Sequence, residues 1–110
     1  MSIRAIDDHF HVTGQLSPDH LQDIAGLGYK TVVCMRPDNE GFGQPLFADI
    51  AKAADAAGLD IHYIPVIPGR MTPEQGAELK SVLQGAEGRI LAYCASGGRC
   101  AAAYQAVGGK

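Results

Sequence analysis

Cys94 and Arg99, a nucleophile and a cation, stand five positions apart in the stretch Arg89-Ile-Leu-Ala-Tyr-Cys-Ala-Ser-Gly-Gly-Arg-Cys-Ala-Ala-Ala-Tyr. The apolar run Ile90 to Tyr93 reads as a buried strand, Cys94 to Arg99 as a tight loop, and the alanine-rich segment after it as a helix. That order puts Cys94 at a helix N-terminus, where unpaired backbone N–H groups and the helix dipole favour an anion. The same field stabilises a thiolate, so a cysteine pKa of about 8.5 is expected to fall into a range of roughly 3.5–7.5. Ala95, Ser96, Gly97 and Gly98 are small enough for their amides to turn inward as an anion-binding loop, which the Arg99 cation closes. A cysteine enzyme acting on an anionic group needs this arrangement. A free cysteine can also be a small buried hydrophobe, and a strand–Gly-Gly–helix junction a packing turn. The guanidinium inside the same turn favours chemistry.

A second set of polar residues lies in the loop Arg36-Pro-Asp-Asn-Glu-Gly-Phe-Gly-Gln-Pro45. It follows an apolar strand and leaves the carboxyl edge, where open α/β sheets place their ligands. Asp38 and Glu40 are therefore candidates for acid–base work and Arg36 for anion binding. Pro-Asp-Asn-Glu-Gly is equally good turn chemistry without function, and the two readings carry similar weight. His9 and His11 would share one face of a strand, as metal ligands do. No further acidic or histidine cluster has matching spacing, so we read them as exposed residues near an edge strand and assign no metal.

The elements that must position these groups follow from local pattern. Ile3–Ile6 and Phe10–Thr13 are extended pieces that could pair as a hairpin or edge. Ser17-Pro18-Asp19 predicts a helix start with Ser17 as N-cap; Leu21, Ile24 and Ala25 form its apolar side, His20 is solvated opposite, and Gly28 stops it. Lys30-Thr-Val-Val-Cys-Met35 is a continuous run expected of a strand buried on both faces, with Cys34 in the core. Leu46, Ile50, Ala54 and Ala57 trace a second helix ending at Gly58. Ile61 to Val66 is the next buried strand, with His62 and Tyr63 as packing residues. Pro68-Gly69-Arg70 turns the chain into Thr72-Pro73-Glu74-Gln75, a capping box that opens a third helix with Leu79, Val82, Leu83 and Ala86 inside. The order α-β-α-β-α-β-α predicts an α/β fold, a mainly parallel central sheet flanked by helices on both faces. The Cys94 loop lies between the last strand and the last helix.

At 110 residues the chain is expected to form one domain over 1–110, large enough for a core without metal or disulfide support. A net charge of −3 and the absence of tryptophan argue against nucleic-acid or anionic-membrane binding, so anion recognition must be local. The N-terminus lacks a signal-peptide core, and no apolar run approaches the ~20 residues that span a bilayer. Three cysteines without zinc spacing do not form a secreted disulfide framework, which makes a reducing cytoplasm the expected setting. The chain ends at Val107-Gly-Gly-Lys, just past the last helix, as a natural terminus or a module of a longer protein.

Five segments together resemble a known group: Gly14-Gln15-Leu16-Ser17-Pro18, Arg36-Pro37-Asp38-Asn39-Glu40, Gln44-Pro45, Ile64-Pro65-Val66 and Tyr93-Cys94-Ala95-Ser96-Gly97-Gly98-Arg99. The chain is similar to the phosphatase-like domain of the beta-lactamase-hydrolase-like proteins, a branch of the tyrosine-phosphatase-like superfamily. The resemblance implies that superfamily's parallel sheet with a cysteine loop at its edge. Typical tyrosine phosphatases separate Cys and Arg by five residues, place His before the Cys and put Ser or Thr after the Arg. Here four residues separate them, Tyr93 precedes and Cys100 follows. Cys-x-x-Gly-x-Arg looks like the active loop of single-domain rhodaneses, the sulfur transferases. Dual-specificity phosphatases also carry a general-acid Asp after the strand matching Ile61–Val66, where this chain has Ile67-Pro-Gly-Arg70.

These departures order the expected activities. Sulfur transfer through a Cys94 persulfide comes first, with Arg99 attracting a sulfane donor and a thiol acceptor taking the sulfur. Cys100 would then be a resolving thiol or, more simply, a buried replacement for the usual hydroxyl. Phosphoester hydrolysis through a Cys94 phosphocysteine comes second, with Arg99 on the phosphoryl oxygens and Asp38 as acid and base. A noncatalytic anion-binding module comes third. No cofactor is implied, and the family's name points to a fused or associated metallo-hydrolase.

Overall fold

The three parallel strands at the centre of the molecule are buried along their whole length because both of their faces are covered. In the computed structural model, which describes residues 1–108, five strands form one sheet. They are β1 (Arg4–Ala5), β2 (Phe10–Thr13), β3 (Thr31–Cys34), β4 (Asp60–Tyr63) and β5 (Ile90–Tyr93). Four helices connect or follow them: α1 (His20–Gly26), α2 (Phe47–Ala56), α3 (Pro73–Gly85) and α4 (Gly98–Ala106). The sheet order is β1-β2-β5-β3-β4; β1 is antiparallel to β2 and every other pair is parallel. The fold is thus the expected α/β architecture with a mainly parallel sheet. The expected domain over 1–110 includes Gly109 and Lys110, which lie outside the described residues.

Strand alternation sorts the core into two halves. Ile90, Ala92 and Cys94 face one layer with Val33, Met35, Leu79, Leu83 and Tyr104, the side of α3 and α4. Leu91 and Tyr93 face the other with Val32, Cys34, Leu21, Ile24 and Ile50, the side of α1 and α2. β5 pairs in register with β2 on one side and β3 on the other, so Cys94 follows the central strand of the sheet. All residues of β2, β3 and β5 are buried.

Several local expectations hold and others give way to tertiary contacts. The capping box opens α3 as read: the Gln75 N–H donates to Thr72 Oγ1 at 3.1 Å, and the Thr72 N–H to Gln75 Oε1 at 3.0 Å. α1, in contrast, begins at His20 after a turn in which the His20 N–H donates to Ser17 O, and Ser17 offers no side-chain cap. The His20 ring is engaged rather than free, its Nδ1 accepting the Ser17 N–H at 3.1 Å. β2 is not an edge, because β1 lies outside it. His11 is accordingly buried, with Nδ1 2.7 Å from the Tyr29 hydroxyl, instead of exposed beside His9. β4, read as buried, is the far edge strand and alternates exposed and half-buried residues. Full burial begins after it, at Ile64 and Val66, whose N–H groups still reach Cys34 O and Met35 O.

Candidate active site

Cys94 leaves β5 buried to 1% exposure, yet it forms part of the wall of a cavity of about 540 Å³ together with Ser96, Arg99, Val66, Arg70 and Met71. The chain doubles back over the sulfur: the Gly97 N–H donates to Cys94 Sγ at 3.1 Å. Gly97 is the residue before α4 and has φ 90°, a left-handed conformation that side-chain-bearing residues resist. A Cβ there would also lie 3.3 Å from Thr13 O. Gly14 makes a similar close approach, since a Cβ on it would meet Ala95 O at 3.0 Å. The end of β2 therefore supports the loop from outside, and Cys94 N–H donates weakly to Thr13 O at 3.4 Å.

Cys100, one turn into α4, completes the sulfur's surroundings. Its thiol hydrogen-bonds the Cys94 sulfur, and backbone N–H groups of Cys100, Ser96 and Gly97 add to that stabilisation. Against the opposing cost of burial, these donors bring the Cys94 pKa down to about 5. Cys100 itself is fully buried and pushed well above the ordinary thiol value, by burial first and then by its bond to Cys94. Cys34 is raised too, chiefly by burial. Of three chemically identical side chains, one is a thiolate at neutral pH and two remain thiols.

Arg99 is fixed from two sides. Its Nη1 and Nη2 donate to Glu40 Oε2 and Oε1 at 2.9 and 2.8 Å, and Nη1 also donates to Val66 O at 2.9 Å. Glu40 Oε1 accepts in addition from Arg36 Nε at 3.0 Å, and Arg36 Nη1 donates to Gln15 Oε1 at 3.1 Å. Arg99, first among its partners, holds the Glu40 carboxyl below the usual carboxylate range. Gly41 leaves the room this needs, because a Cβ there would lie 2.5 Å from Arg36 Nη2. The loop is tied down further by Gln44, which accepts from the N–H groups of Glu40 and Gly41 and donates to Pro37 O.

Asp38 does not join this group. Its Oδ1 accepts the Phe47 N–H at 2.8 Å, which caps α2, and its own N–H donates to the Tyr63 hydroxyl at 3.0 Å. The residue does not line the cavity. In this structure the aspartate, expected to do acid–base work, satisfies a free N–H at a helix start. Arg36, read as an anion site, is an ion-pair partner of Glu40 instead. The loop residues Ala95, Ser96, Gly97 and Gly98 and the pair Cys94 and Cys100 are brought together with Arg99. Sequence reasoning missed Gln15, Gly14 and the Val66 carbonyl as parts of the site. The one available signal was their presence in the segments shared with the phosphatase-like group.

The sheet, with a cysteine loop between its central strand and the last helix, places the chain in the tyrosine-phosphatase-like class of cysteine-based, phosphatase-like folds. More narrowly, residues 2–108 match the model of the phosphatase-like domain of beta-lactamase hydrolase-like proteins, and the chain belongs to that family. A beta-lactamase hydrolase-like protein of Xylella fastidiosa (strain Temecula1) is 31% identical over 94% of this chain and 24% of its own length. The chain spans about a quarter of the length of the curated relatives it matches. Among solved structures, a proposed phosphatase from Neisseria meningitidis is 34% identical with a TM-score of 0.85, over 94% of this chain and 74% of that one. TpbA of P. aeruginosa, solved in complex with phosphotyrosine, is 16% identical with a TM-score of 0.61, over 86% and 54% of the two chains. At that identity the likeness is one of fold.

Proposed function

We propose that this domain is a sulfur transferase that carries sulfane sulfur as a Cys94 persulfide. The observation that carries this reading is the lack of a carboxylate in the cavity wall, among the described residues, beside a cysteine already ionised at neutral pH. A phosphatase must protonate the alkoxide or phenolate that leaves, a contribution of roughly 10²–10⁴-fold. Asp38 is turned away as the cap of α2, and Glu40 is a poor acid because two arginines hold its charge. Sulfur transfer has no such requirement. The Cys94 thiolate attacks the sulfane sulfur of thiosulfate or an organic persulfide; the new S–S bond forms as the old one breaks. Sulfite or a thiolate leaves with the electron pair, already an anion. The Cys94-S-S⁻ product extends the charge into the same ring of amides, and an incoming thiol acceptor then removes the outer sulfur.

Phosphoester hydrolysis is the second reading, favoured by the family's description and by the phosphotyrosine complex of TpbA. Noncatalytic anion binding ranks third. The partners we propose are a small anionic sulfur donor and a thiol acceptor. The relatives are about four times as long and are named beta-lactamase hydrolase-like proteins, and that name supports a fused or associated metallo-hydrolase. No described helix is long and apolar enough to cross a membrane.

Intact-mass analysis after incubation with thiosulfate or glutathione persulfide tests the proposal. A gain of about 32 Da that a reductant reverses and Cys94→Ser abolishes is the expected result. No adduct with any sulfur donor, together with Cys94-dependent turnover of an aryl phosphate, would overturn it.

A further inference from the structure

Gly97, whose N–H donates to Cys94 Sγ at 3.1 Å, is touched from behind by a cation. A Cβ on Gly97 would lie 3.1 Å from Arg4 Nη2, beside the contact with Thr13 O. Arg4 opens β1 and stands opposite Val12 of β2. Directly opposed residues of an antiparallel pair share a face of the sheet, and Val12 faces the layer of α3 and α4. The register therefore sends the Arg4 side chain toward the start of α4, where the bare Cα of Gly97 lets the guanidinium settle against the loop. One residue, Gly97, separates this cation from the Cys94 sulfur.

No acidic side chain balances this charge. Arg36 and Arg99 are both paired with Glu40, whereas the Arg4 guanidinium has neither an ion pair nor a hydrogen bond among the described residues. A cation beside a helix N-terminus is unfavourable by itself, because the dipole is positive there and Gly97 is the N-cap of α4. Around Cys94 stand the Cys100 and Cys34 thiols, both uncharged at neutral pH, and Arg99, which is committed to Glu40 and Val66 O. A negative charge on Cys94, or on a group bound in its loop, is what offsets both the dipole and the unpaired guanidinium.

We infer that Arg4 is a positioning residue of the Cys94 loop, a cation that stabilises from behind the anion the loop holds. This rests on the reading of Cys94 as an ionised nucleophile, but not on which group is transferred. The test follows alkylation of Cys94 by iodoacetamide, a neutral reagent, against pH and with the site mapped by peptide mass. Wild type, Arg4→Gln and Arg4→Lys are compared at about 0.1 M and about 1 M salt, where the Debye length is about 10 and about 3 Å. Removing a nearby cation raises a thiol pKa, so Arg4→Gln should lose its thiolate at a higher pH as pH falls. Below about pH 5 its alkylation at the lower salt should be about threefold slower than in wild type, with the rate at neutral pH unchanged. Because Arg4 is exposed, salt reaches it, and at the higher salt the two profiles should converge. Arg4→Lys should keep the wild-type profile at either salt. An unmoved profile in Arg4→Gln would overturn the inference. So would a loss of equal size at both salt concentrations or one that Lys does not rescue, since packing alone would then explain it. If Arg4 moves the profile but no sulfur donor loads Cys94, the positioning role stands and the sulfur-transfer reading fails. Loading of Cys94 with an unmoved profile would leave sulfur transfer standing and sink the role of Arg4.

Discussion

The loops after β3 and β5 leave neighbouring parallel strands at the same edge of the sheet, and both are rich in small and polar residues. In the β3 loop the polar groups satisfy one another. Asp38 caps α2, Gln44 ties three backbone groups, and Arg36 pairs with Glu40. In the β5 loop the Gly97 N–H donates to Cys94 Sγ, and Cys100, Ser96 and Gly97 together lower the pKa of that one sulfur. One loop is a closed frame and the other a charged site, and the Glu40–Arg99 pair joins them. Position at the sheet edge therefore does not make a loop catalytic. What matters is whether its hydrogen-bonding groups are left for something other than the loop itself.

Cys94→Ser should have the largest effect, because it removes the nucleophile itself. Sulfur loading should fall to background, by roughly 10³-fold or more, as for loss of a nucleophile elsewhere. Loading that persists on Cys34 or Cys100, mapped by peptide mass, would break the contrast between the loops. Cys100→Ala should act next, by removing the strongest stabiliser of the Cys94 thiolate. With a pKa of about 5, the wild-type thiolate persists above that pH and is protonated below it. Iodoacetamide alkylation of Cys94 should therefore be nearly flat from neutral pH upward and decline as pH falls through about 5. In Cys100→Ala the midpoint should move up toward the ordinary thiol value, so alkylation near neutral pH slows. An unmoved midpoint would mean that the backbone amides alone hold the charge.

Asp38→Ala sharpens the other side of the comparison. Loss of a helix cap costs about 1 kcal/mol, within a range of roughly 0.5–2, and should appear as a lower urea midpoint. Sulfur loading should change little, since the carboxylate does not line the cavity. A collapse of turnover in a protein that is still folded would return Asp38 to the chemistry. Glu40→Gln should be mildest in stability, under about 1 kcal/mol for a partly exposed pair. It also releases positive charge at Arg99, so the KM for thiosulfate should drop; a rise would mean that Glu40 acts mainly by holding Arg99 in position.

Much of this architecture is local in origin and was legible for that reason. The runs Thr31–Cys34 and Ile90–Tyr93 contain the residues for two buried faces, and an uninterrupted apolar strand has few other uses. Thr72 and Gln75 cap each other across three positions, so their bond needs nothing beyond the helix start itself. Cys94 and Arg99 are close in the chain, and small residues between them suffice to bend the loop. The sequence by itself thus determined the α/β order, most helix limits and the place of the cysteine loop. Which carboxylate served which partner was decided elsewhere. Asp38 and Glu40 are two positions apart in one turn, yet one meets Phe47 and the other meets Arg99, 59 residues away. The burial of His11 depends on β1 taking the sheet edge and on Tyr29 lying opposite. The exposure of β4 depends on no strand following it outward. Those outcomes follow from strand order and from which side chains the sheet brings face to face. Local periodicity carries neither, because a hydrogen bond between distant segments is set only when the layers pack.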